Sequence, residues 1–156
     1  MKKTFERLTK VKILDGLLSL SLAVILVVVL LVEMTTYMYL ASLSLGLMTL
    51  GILVRKSIRA HQILLVSAVI LDLSLVLILE SRRDAIDTVT SLNLSYYQLI
   101  HVALAVIAVI TYIPTLILGY LYAKRREQKF ALHLIFGKVA YVFRFLSWIF
   151  MFSFLQ

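Results

Sequence analysis

Residues 13–53 read ILDGLLSLSLAVILVVVLLVEMTTYMYLASLSLGLMTLGIL, an apolar stretch whose interpretation decides the fold. As one helix its roughly 40 residues would reach about 60 Å at 1.5 Å per residue, twice the ~30 Å hydrocarbon core of a bilayer. The stretch therefore has to fold back. The break stands at Glu33-Met34-Thr35-Thr36-Tyr37, where a carboxylate, two β-branched hydroxyl residues and an aromatic interrupt the Leu/Val run.

Three further apolar stretches follow, and the chain reads as an all-α integral membrane protein with five transmembrane helices, near 13–32, 36–54, 61–80, 97–122 and 133–154. Residues 1–12 form a basic N-terminus and residues 13–156 a single transmembrane domain. The charges test that count independently. With five spans, Lys2, Lys3, Arg7, Lys10, Lys12, Arg55, Lys56, Arg59, Lys124, Arg125, Arg126, Lys129 and Lys138 share one face, and only Arg82 and Arg83 lie on the other. Merging the first two spans would split the same residues eight against seven. Because cytoplasmic loops collect Lys and Arg, the five-span reading puts the N-terminus in the cytoplasm and the C-terminus outside, in a multi-pass cell-membrane protein. Tyr37, Tyr39, Tyr96, Tyr97, Tyr120 and Tyr122 fall at span ends, as interface anchors do.

Composition agrees. Of 156 residues 62% are hydrophobic and 15% charged, against roughly 25% charged in a soluble domain. Mean hydropathy is +1.02. The net charge of +8 would suggest nucleic acid in a soluble protein, but here it resolves into topology, with juxtamembrane runs such as Lys124-Arg125-Arg126 placed to meet anionic lipid. Zero cysteines exclude disulfides, iron–sulfur clusters and thiolate metal sites. The first apolar run, about 20 residues, exceeds the usual 7–15 of a signal peptide and no Ala-x-Ala follows Glu33, so it reads as a retained anchor. Asn93-Leu94-Ser95 is a formal glycosylation triplet on the outer side. Small residues four apart, Ser42 with Gly46 and Ser19 with Ala23, would permit close helix approach, and Pro114 would kink the fourth span.

Asp72 and Arg144 most need explaining, since either alone at mid-membrane costs ~2.5–3.5 kcal/mol or more. Asp72 lies eleven residues after His61, and Arg144 eleven after His133. Eleven residues are about three turns, so each charge stands roughly 16 Å below its histidine on the same helical face. If the two faces meet, Asp72 pairs with Arg144 and His61 faces His133. The residues leave three readings open: a buried ion pair that fixes helix register, a role in proton or ion movement, or no contact, with Arg144 snorkelling or facing a partner.

His61 and His133, level with one another near the inner surface, are the candidate haem or metal ligands; interfacial histidines with a wet polar edge are the plainer alternative. His101 begins the fourth span from the opposite face, too far to join them. There is no phosphate-cradling Gly loop, no paired-histidine protease motif and no serine with a plausible base, so no catalytic residues are assigned.

Three places, Val54-Arg55-Lys56-Ser57-Ile58-Arg59-Ala60-His61, Ile100-His101-Val102-Ala103-Leu104-Ala105 and the basic turn Lys124 to His133 with its aromatic-rich last span, resemble a family of small multi-span membrane proteins with helix-start histidines, found with haem–copper terminal oxidases. The resemblance covers about residues 40–155. In that family arginines follow the inner histidines, where this chain has His61-Gln62-Ile63 and His133-Leu134-Ile135, and a further outer histidine stands where this chain has Arg82-Arg83. The resemblance implies an accessory subunit or assembly factor of such an oxidase, partnered by larger membrane subunits and lipid rather than nucleic acid. The alternative is a small b-type cytochrome holding haem b between His61 and His133 and passing electrons from quinol. A transporter is disfavoured, because no repeat is evident and one midplane charge pair is all the chain supplies.

Overall fold

The computed structural model describes residues 2–81, 95–125 and 130–155, and these are almost wholly helical. Five long helices run in order: α1 (Lys2–Leu31), α2 (Thr36–Leu53), α3 (Ile58–Ser81), α4 (Tyr96–Arg125) and α5 (Phe130–Met151), with a final 3-10 turn at Phe152–Leu155. Each contains a stretch long and apolar enough to cross a membrane, from Val11–Leu31 in the first to Ala131–Met151 in the last. In lipid every backbone N–H and C=O has to be satisfied within the segment, and a continuous helix does so.

The predicted fold-back occurs where the sequence breaks. Thr35 is the N-cap of α2, in extended conformation, and its hydroxyl accepts from the Met38 N–H at 3.4 Å. The turn 54–57 closes α2 onto α3, with Val54 N–H donating to Leu50 O and His61 N–H to Ser57 O. Ser95 and Gln98 form a capping box at the start of α4: the Ser95 N–H donates to Gln98 Oε1 at 2.9 Å and the Gln98 N–H to Ser95 Oγ at 3.4 Å. This S-x-x-Q signature was available in the sequence and explains why the helix starts at Tyr96.

α2 packs along α3 and α4 along α5, giving two hairpins, with α1 laid against α2. The hairpins meet where α2 touches α5 and α3 touches α4. Two apolar clusters fill the seam. One gathers Met48, Ala68, Val69, Ala108, Tyr112 and Ala140; the other is built on Ile25, Met38, Leu45, Leu75, Trp148 and Met151. Ala68 of α3 and Ala108 of α4 are completely buried in this cluster.

The span expected near 13–32 is found at Val11–Leu31, and its helix extends back to Lys2. The expected small-residue contacts are corrected. Ser19 and Ala23 face outward; α1 instead buries the larger Leu18 and Ile25, two turns apart. A side chain at Gly46 would meet nothing within 4 Å, whereas one at Gly51 would sit 3.0 Å from Leu65, so the tight glycine of α2 is Gly51. The α4 helix is continuous through Pro114, as a kinked helix also is, and the Thr111 hydroxyl is bonded back to Ile107 O and Ala108 O a turn earlier. Asn93, Arg82 and Arg83 lie outside the described residues.

Outward faces are apolar. Leu17, Leu20 and Leu30 on α1, Ile63 and Leu77 on α3, and Ile110 and Ile113 on α4 are all exposed, as lipid-facing side chains should be. Tyr96, Tyr97 and Tyr120 are exposed at helix ends. Near the basic end, Arg55 in the α2–α3 turn reaches Asp15 of α1 at 2.6 Å, tying the first helix to the first hairpin.

Candidate functional site

The seam carries a column of polar groups, and its centre is the pair singled out by the eleven-residue spacing. Asp72 and Arg144 are buried, with 5% and 7% of their surface exposed. Arg144 binds the carboxylate two-handed, Nε donating to Oδ2 at 2.6 Å and Nη2 to Oδ1 at 2.7 Å. Its Nη2 also donates to the Ala41 carbonyl on α2 at 3.1 Å. The Tyr112 hydroxyl donates to Asp72 Oδ2 at 2.6 Å. Four helices thus meet at one carboxylate–guanidinium pair, α3 and α5 through their charges and α4 and α2 through Tyr112 and a backbone carbonyl. Such a fork-to-fork pair is both strong and directional, and in a low-dielectric interior the further hydrogen bonds from Tyr112 and to Ala41 O help offset its desolvation.

Neutral contacts continue the column on both sides. Trp148 Nε1 donates to Ser42 Oγ at 2.8 Å, and Ser42 passes its own hydrogen to Met38 O. Toward the basic end the Tyr141 hydroxyl lies 2.8 Å from Ser21 Oγ of α1 and 3.1 Å from Thr49 Oγ1 of α2. Ser44 Oγ donates to Ala68 O at 3.0 Å, clamping α2 to α3.

The three histidines divide as their positions require. His101 is at the end of the bundle away from the others. Its Nδ1–H donates to Ser147 O at 2.7 Å, and Ser147 Oγ returns a bond to His101 O at 3.3 Å, so this residue fastens α4 to α5. His61 and His133 come together across the seam, with ring centres 6.3 Å apart and planes at 86°. Both rings are anchored from behind. His61 Nδ1 lies 2.7 Å from Gly51 O, and His133 Nδ1 lies 3.1 Å from Thr115 O. A carbonyl oxygen only accepts, so each Nδ1 carries the hydrogen, and in the neutral form of either ring the lone pair is on Nε2. Gly51 O belongs to the last turn of α2, where helical carbonyls lack a backbone partner. Gly119 makes room for His133: a methyl there would sit 3.0 Å from Cε1.

The spacing argument therefore located Asp72, Arg144, His61 and His133 but left out Tyr112, the Ala41, Gly51 and Thr115 carbonyls, and Gly119. Backbone acceptors carry no residue-type signal. A tyrosine or glycine in an apolar helix has none either, beyond being a polar hydroxyl or a missing side chain.

The chain matches no family model, no curated protein and no solved structure.

Proposed function

We infer that the chain is a non-catalytic membrane component of a respiratory electron-transfer complex, an accessory subunit or assembly factor of a haem–copper terminal oxidase. In this reading the N-terminus is cytoplasmic, the C-terminus is outside, and the membrane is the cell membrane. The observation that carries the reading is the division of labour in the bundle. The charged groups at its centre are spent on one another, Asp72 on Arg144 and Tyr112, while large apolar side chains cover the outside. A bundle stitched internally in this way offers whole helix faces for packing against larger subunits and lipid. The respiratory assignment is supported by the resemblance of the helix-start histidine segments.

Mild detergent extraction of a tagged chain, followed by identification of co-purifying proteins, tests it. The expected result is recovery with oxidase subunits. A colourless chain recovered without respiratory partners contradicts it, and a haem-bearing chain that accepts electrons from quinol would replace it by the small b-type cytochrome.

A further inference from the structure

We propose that His61 and His133 form a two-nitrogen metal site, each hairpin supplying one Nε2, for an ion that needs only two opposed imidazoles from the protein. The inference stands apart from the respiratory assignment and depends on local geometry alone.

Three features carry it. The first is spacing. Two metal–nitrogen bonds of about 2 Å, each with its ring centre roughly 1 Å behind the nitrogen, put ring centres about 6 Å apart; the observed separation is 6.3 Å. The second is the tautomer. Each Nδ1–H is held by a backbone carbonyl, Gly51 O for His61 and Thr115 O for His133. This is the outer hydrogen bond that orients a ligating imidazole and raises its basicity. It leaves the Nε2 lone pair ready, so binding to the neutral rings releases no proton. The third is close packing at the ring edge. Gly119 of α4 lies beside the Nδ1–Cε1 edge of His133, where a methyl group would sit 3.0 Å from Cε1 and press on the ring.

The ligand count then selects the chemistry. Among the described residues no third His, Cys, Asp or Glu joins the pair. Zinc sites ordinarily take three or four protein ligands, and hard cations take oxygen. Two opposed imidazoles satisfy a monovalent copper ion, which accepts linear two-coordination. They also satisfy an iron that already carries four porphyrin nitrogens. The shared requirement is an ion content with two axial protein nitrogens. Because His61 is on α3 and His133 on α5, occupancy would bridge the two hairpins.

The test uses the full-length chain in detergent, stripped of metal and kept anaerobic. One arm titrates Cu(I) against a coloured Cu(I) chelator; the other titrates hemin and follows the visible spectrum. We expect one equivalent per chain in at least one arm. Binding should fall in both His61→Ala and His133→Ala by more than the roughly 10–100-fold that loss of a supporting contact costs. Cu(I) binding without a hemin spectrum identifies the bare ion, and a bis-imidazole Soret band lost in both variants identifies porphyrin iron. Helix content and a single elution peak establish that each variant is folded. Gly119→Ala, which keeps both imidazoles, should weaken binding about tenfold by displacing one ring, and it decides the matter should a histidine variant not fold. Absence of stoichiometric binding in both arms overturns the site, as does binding that survives loss of either histidine. Co-purification with other membrane proteins is unaffected by either outcome, so the two proposals fail separately.

Discussion

Two pairs of side chains face each other across the same two helices, eleven residues apart, and they are finished to different degrees. At mid-bundle, Asp72 and Arg144 are closed: both carboxylate oxygens and two guanidinium nitrogens are bonded, with Tyr112 and Ala41 O completing the set. Toward the basic end, His61 and His133 lie 6.3 Å apart between ring centres, and the side-chain hydrogen bond each makes among the described residues is at Nδ1, which leaves Nε2 without a hydrogen-bond partner there. A pair whose hydrogen-bonding capacity is consumed internally acts on stability and register. A pair with oriented lone pairs left over can act on a ligand. The lower pair is the candidate site for that reason, although the charged pair is the more conspicuous in the sequence.

The largest effect that would break this contrast is at the centre. Asp72→Ala or Arg144→Ala leaves one uncompensated buried charge and should cost about 3–5 kcal/mol, seen as lost accumulation and early unfolding in detergent. The double variant should recover much of that loss. Additive losses would mean that the two residues are not a closed pair. Next comes Tyr112→Phe, which removes a hydrogen bond to a charged oxygen and should cost about 1.5–3 kcal/mol with helix content unchanged. At the small end, Arg55→Ala breaks a partly exposed contact to Asp15 and should change unfolding by about 0–1 kcal/mol. A larger effect there would show that the attachment of α1 depends on that bridge.

Much of the architecture was legible because apolar runs, the Glu33–Tyr37 break and the segregation of Lys and Arg are strong one-dimensional signals. The equal spacing from His61 to Asp72 and from His133 to Arg144 added a three-dimensional one, since a helix converts equal spacing into equal depth and a common face. The faces of the remaining helices were not legible. A helix apolar all round shows no stripe to mark its buried side, which is why Ser19 and Ala23 were expected at a contact and are found facing outward, while Ala68, Ala108 and Ala140 line the seam. The supports of the histidines were invisible for another reason: Gly51 and Thr115 contribute carbonyl oxygens, which every residue possesses.

The central claim, that the two hairpins bring His61 and His133 side by side, can be tested without any ligand because the chain has no cysteine of its own. His61→Cys and His133→Cys are introduced together, with a protease site placed between the hairpins, and membranes are treated with a short thiol-to-thiol crosslinker before cleavage. The account predicts that the two fragments stay joined on a denaturing gel. It also predicts that they separate when Ile63→Cys, on the outward face of α3, replaces His61→Cys. Separation of the His61→Cys/His133→Cys fragments, with both thiols shown to be reactive, would contradict it.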